Sequence, residues 1–176
     1  MNVRLKLVFS EEKKPYLLDI TSLLYDFELL HDFSLILWAD DYSDYKFSRF
    51  FLYRNRRPIM ANHKIRVVKI IKESPLIVVV EINEILALTG ALWTMLLLIE
   101  KIRNWRLNRE KLMYEVKKLK LETEKLSMEL EQKLLERNAA NILNSLLHRL
   151  ESNPIKLEDI EAYVEEDNKN EKVTFT

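Results

Sequence analysis

The sequence predicts an α+β protein: a small N-terminal sheet-plus-helix domain, then a long, mostly continuous helical region that begins as an apolar helix and ends as a charged coiled coil. Three observations lead there. The chain opens on period-two alternation, with Val3, Leu5, Leu7 and Phe9 interleaved with Arg4 and Lys6. From Pro75 to Pro154 there is no other proline, and the only glycine is Gly90, so no strong breaker interrupts a helix. Within that stretch Leu112, Val116, Leu119, Thr123, Leu126 and Leu130 recur at alternating four- and three-residue steps, the a/d seam of a coiled coil.

The elements follow in order. Residues 3–9 read as a strand with one buried face. Lys13, Lys14 and Pro15 make a turn, and Tyr16 to Ile20 suit a second short strand. Asp19, Thr21 and Ser22 offer cap oxygens. Beyond them Leu23, Leu24, Phe27, Leu30 and Phe33 fall at helical spacing, so a helix is expected to about Leu37. Asp40 to Asp44 is a polar loop, Phe47 to Arg54 is aromatic-rich and reads as extended, and Ile65 to Ile71 is a β-branched strand. Ser74 and Pro75 suit an N-cap and a first helical residue. The run Ile77 to Ile82 would also suit a strand after a hairpin turn; the helical pattern beyond Asn83 decides for helix. The expected organisation is a head over residues 1–73, an apolar helix over 74–104, a charged rod over 105–152 and an acidic tail over 153–176.

Composition removes whole classes of chemistry. With no cysteine among 176 residues there is no disulfide framework, thiolate metal site or cysteine nucleophile. A single glycine excludes the phosphate-cradling loops and the nucleophile elbow. His31, His63 and His148 have no metal-ligand spacing. Asp40, Asp41 and Asp44 lack the glycine and distal glutamate of a calcium loop. No cofactor, metal or small-molecule substrate is implied, and the expected protein is not an enzyme. The first residues carry Arg4 and Lys6 inside their apolar run and are no secretory signal; a cytoplasmic location is expected, with membrane association as the alternative.

Three features could carry function. The first is the seam, too narrow to bury a helix in a monomer's core, which makes Leu112, Val116, Leu119, Thr123, Leu126 and Leu130 an oligomer interface. It slips at Leu134 and Leu135 and restarts at Ala139, Ile142, Leu146 and Leu150, as at a stutter or a break between two helices. An intramolecular hairpin, with residues 137–150 folded back on 111–130, is the competing account of the same pattern.

The second feature is Ile85 to Ile99, fifteen residues without a charge. As a helix it spans about 22 Å, short of the roughly 30 Å hydrocarbon core. Extension back to Leu76 admits Glu81 and Glu84, and both flanks are basic, which one span cannot reconcile with charge-directed orientation. A buried central helix is therefore expected, with insertion of residues 76–102 in lipid as the alternative. Ala87, Gly90, Ala91 and Thr94 give it a small-residue face on which a second such helix could pack.

The third is charge segregation. Ser10 to Asp44 holds nine acidic and two basic residues; Tyr45 to Lys72 holds nine basic and none acidic. Aromatics interleave with the basic part, the pattern of a nucleic-acid or anionic-membrane surface. Lys46, Arg49, Arg54, Arg56 and Arg57 are its candidate residues, with the loop over 54–57 expected to leave its arginines free. In the competing account the rings are core and the charges neutralise a neighbour. The favoured function is a homo-oligomerising interaction protein, its partner a second copy of itself, ahead of a membrane surface or nucleic acid.

Overall fold

The computed structural model describes residues 2–10, 15–52, 57–72, 75–83, 125 and 128–165. They form a mixed α+β body. Strand β1 (Asn2–Ser10) lies inside a four-stranded antiparallel sheet with β2 (Arg66–Lys72), β3 (Leu76–Asn83) and β4 (Lys156–Glu165), in the order β2-β3-β1-β4. Helix α1 (Leu17–Trp38) and helix α2 (Ala140–Ser152) pack against one another, and residues 128–136 are also helical.

The alternation in β1 settles its two faces. Leu5, Leu7 and Phe9 are buried, while Arg4, Lys6 and Val8 are half-exposed. Register carries this pattern across the sheet: Leu5, Leu7 and Phe9 stand opposite Val80, Val78 and Leu76 of β3, all buried in the same core. Opposite Arg4 on the other face is Glu81, which it meets at 3.6 Å.

Helix α1 is the spine of the core. Every residue from Leu29 to Leu37 is buried, so the helix is enclosed all round rather than lying on a surface. It starts one residue after Tyr16, whose N–H donates to Asp19 Oδ2 at 2.8 Å, satisfying one of the donors a helix start leaves open. The short strand expected over Tyr16 to Ile20 is thus the first turn of α1. Three 3₁₀ turns follow, Asp40–Tyr42, Phe47–Arg49 and Ala61–His63. The extended segment expected from Phe47 is a 3₁₀ turn instead, because its rings turn inward: Phe33, Phe47 and Phe50 cluster with centroids 5.2 to 6.1 Å apart. Aromatic pairs at such distances add about 0.5–1.5 kcal/mol each beyond the area they bury.

The largest correction concerns residues 76–83. They are strand β3, flanked on both sides by β1 and β2, not the start of a long helix. Lys72 pairs with Leu76, so Pro75 stands in a tight turn between strands. The cause lies in the faces of β3: with Ile77 and Val79 apolar on the half-buried outer face and Leu76, Val78, Val80 and Ile82 buried on the other, the strand reads as a continuous apolar run, which periodicity cannot distinguish from buried helix. The rest of the expected apolar helix and the first part of the rod, residues 84–124 with 126 and 127, lie outside the described residues.

The sheet also draws on the chain's far end. β4 falls in the segment expected to be an acidic tail and pairs with β1 along its whole length, with a register shift between Val8 and Phe9. The sheet and helices that pack with β1 and α1 therefore come from beyond residue 73 as well. They include β3, the helical segment 128–136, α2 and β4.

The seam's slip is a break between two helices. Asn138 N–H bonds to Leu135 O, Ala139 N–H bonds to Leu134 O, and Asn138 has φ 55°. That is the paired bonding of a Schellman end, with asparagine in the left-handed position usually held by glycine. Ala139, fully buried, then opens α2, its carbonyl accepting from Leu143 N–H.

Candidate functional site

Arg57, expected to be free, is not. Its guanidinium donates to Asp32 Oδ2 at 2.9 Å, lies 4.7 Å above the Phe50 ring, and its side chain is 3% exposed. Asp32 Oδ1 in turn meets His31 Nδ1 at 3.1 Å, and His31 is fully buried. Arg57 thus folds onto α1, and Asp32 neutralises it inside the core. Lys46 and Arg49 are exposed on the 3₁₀ turn; Arg54 and Arg56 lie outside the described residues. A basic loop surface therefore lacks Arg57. Of its aromatics Phe47 and Phe50 are buried and Phe51 is exposed.

His31, Asp32 and Arg57 form a chain of three ionisable groups inside the body. Its three side chains are all nearly sealed from water, which suits a polar core better than a site for substrate. Among the described residues His31 Nε2 and Arg57 Nε and Nη2 have no hydrogen-bond partner. Glu28, one turn before Asp32 on α1, feels the same cluster: burial first, then the Asp32 carboxylate, push its pKa above the ordinary glutamate value, against the pull of Arg57, His31 and Lys64. A second polar node joins the 3₁₀ turns. Met60 N–H donates to Tyr42 Oη at 3.1 Å, and the same hydroxyl shares a hydrogen bond of 2.8 Å with His63 Nδ1. Burial pushes the Tyr42 hydroxyl pKa up. Among the described residues no group of three or more His, Asp or Glu side chains could hold a metal.

Three polar clasps that the sequence reading did not single out fix the helices. Arg137, at the helix break, donates to the carbonyls of Ile36, Tyr42 and Tyr45 at 2.8 to 2.9 Å and stacks 5.2 Å from the Phe47 ring. Its burial lowers its pKa. Arg149 on α2 reaches Asp26 Oδ1 on α1 through both Nε and Nη2 at 2.7 Å. Asn153 donates to Asp19 O and Ser22 Oγ and accepts from Ile155 N–H, tying the entry of β4 to the start of α1. No spacing rule pairs residues about a hundred positions apart, so these partners were invisible in sequence.

Of the seam positions, Leu130 is described. It is 8% exposed and belongs to the core cluster of the body. Leu112, Val116, Leu119, Thr123 and Leu126, and the small residues Ala87, Gly90, Ala91 and Thr94, lie outside the described residues. Exposed apolar surface occurs at Tyr16, Leu17 and Leu18 before and at the start of α1, at Met128 and Leu135, and along β2 at Val67, Val68 and Ile70. Among the described residues no helix is long and apolar enough to cross a membrane.

Comparison with family models, with curated proteins and with solved structures gives no match to this chain. The functional reading therefore stands on the residues themselves.

Proposed function

We propose that this is a non-enzymatic interaction protein that assembles from copies of itself, with the α+β body as its head and the seam Leu112, Val116, Leu119, Thr123 and Leu126 as the contact between copies. The observation that carries the reading is the pairing of two facts. The head has a filled core of its own, with Phe9, Phe33, Phe47 and Phe50 all sealed from water. Between β3 and the helical segment 128–136 the chain carries a 15-residue charge-free run and a seam of about three heptads. Leu130, the seam's last position, is buried in the head's own core and is not part of the contact, which is left to the earlier positions. Ala87, Gly90, Ala91 and Thr94 supply a second surface where copies approach closely.

The test is Leu119→Asp together with Leu126→Asp, which sets two charges in the seam. The mass in dilute, detergent-free buffer should fall from a multiple of 21.1 kDa to 21.1 kDa. An unchanged mass overturns the reading.

A further inference from the structure

The sheet ends in two strands of opposite charge. β2 carries Arg66, Lys69 and Lys72 and no acid; β4 carries Glu158, Asp159, Glu161 and Glu165 against Lys156 alone. Among the described residues neither strand has a neighbour on its outer side, so each presents a row of unpaired backbone donors and acceptors. We infer that β2 of one copy pairs with β4 of a second copy, continuing the sheet from molecule to molecule. The inference rests on the reading that copies associate, but places a second contact on a surface separate from the seam.

Direction, face and charge all fit. β2 is antiparallel to β3, β3 to β1 and β1 to β4, so β2 and β4 run in opposite senses. A copy shifted sideways along the sheet brings its β2 beside β4 in antiparallel register, with the helices of both copies on the same side. On β2, Arg66 and Lys69 stand opposite Glu81 and Val79, on the open face; Val67 and Ile70 stand opposite Val80 and Val78, on the helix-covered face. On β4, Asp159 and Glu161 hold the register positions of Val8 and Lys6, again the open face, while Ile160 and Ala162 hold those of Leu7 and Leu5. The joined edges therefore bring Arg66 and Lys69 to the same face as the register positions of Asp159 and Glu161, and Val67 and Ile70 to the same face as those of Ile160 and Ala162; Lys72, opposite Leu76, falls on the second face and Ile71, opposite Ile77, on the first. Val67 and Ile70 are 53% and 47% exposed although they lie on the helix-covered side; a following copy would bury them.

Charge also selects against the symmetric alternatives. Pairing β2 with β2 sets cations against cations, and β4 with β4 sets carboxylates against carboxylates, both destabilising. A β2-to-β4 contact is heterologous, so it grows by addition unless its rotation closes a ring. The competing account takes Lys69 and the register shift between Val67 and Lys69 as devices that keep the edge unpaired.

The experiment is sedimentation of the full chain over a rising concentration series, for the wild type, for Arg66→Glu with Lys69→Glu, for Asp159→Lys with Glu161→Lys, and for an equal mixture of the two variants. Edge pairing predicts that wild-type mass climbs beyond its dilute-solution value. Each variant alone should need at least roughly tenfold higher concentration to do so. The mixture should climb again, because each reversed edge then meets its complement; two misfolded variants could not produce that. A wild-type mass that stays at one multiple of the monomer at every concentration overturns edge pairing and leaves the seam reading standing. Climbing that is the same in all four samples, or a mixture that stays small, also overturns edge pairing. A wild type monomeric throughout overturns both.

Discussion

Arg57 Nη1 donates to Asp32 Oδ2 at 2.9 Å, and both side chains are buried. The basic loop is therefore held to the acidic helix by an ion pair inside the core. Breaking such a pair strands a charge. Arg57→Ala should cost about 3–5 kcal/mol in chemical unfolding. Replacing both partners, Arg57→Met with Asp32→Leu, should cost less than Arg57→Ala alone, even though it leaves His31 Nδ1 unpaired. A double variant less stable than the single one would show that the pair is not what holds the loop.

Arg137 binds three carbonyls from the end of α1 and the turns beyond it. Arg137→Ala should destabilise by roughly 2–4 kcal/mol, since hydrogen bonds from a charged donor are the stronger kind. Arg137→Lys should recover only part of that, because an ammonium cannot span three acceptors as a planar guanidinium does. Thermal unfolding of the two variants checks the order.

Asn138 holds a left-handed backbone conformation with φ 55°. Asn138→Gly should leave stability within about 0.5 kcal/mol of wild type, whereas Asn138→Val should cost roughly 1–2 kcal/mol, because a β-branched residue is strained there. Equal stabilities would remove the Schellman end as the reason the two helices part at this residue.

Glu28 has a raised pKa, first from burial and then from Asp32. A carboxyl that binds its proton more tightly when folded makes stability fall as pH rises from the ordinary value, roughly 4.3, through the raised one. Glu28→Gln should therefore raise the melting temperature at pH 7 and leave it unchanged near pH 4. The gain should stay under about 1 kcal/mol, since water reaches the carboxyl. A variant destabilised at pH 7 would reverse the sign.

What the sequence disclosed, and what it concealed, follow from the range of the forces involved. β1 was legible because Leu5, Leu7 and Phe9 alternate with polar residues at an interval the strand itself imposes. α1 was legible from Leu23, Phe27, Leu30 and Phe33, and the helix break from the slip at Leu134 and Leu135. β3 was misread because Ile77 and Val79 put apolar residues on its half-buried outer face as well as on its core face, which removes the alternation. β4 lies in what reads as an acidic tail, because its place beside β1 depends on a partner about 150 positions away. For the candidate site the same limit applies. Segregated charge was visible, but that Arg57 points inward to Asp32 while Lys46 and Arg49 face water is decided by tertiary packing. The opposite charges of the two sheet edges became meaningful only once the strand order was known.

The central claim is that the seam joins copies of this chain. The most direct measurement is the mass of the full-length protein in dilute buffer without detergent, for wild type and for Leu119→Asp with Leu126→Asp. The account predicts a wild-type mass that is a whole multiple of 21.1 kDa and a variant at 21.1 kDa with an unchanged circular dichroism signature for the head. A wild type already at 21.1 kDa, or a variant with the same mass as the wild type, would contradict it.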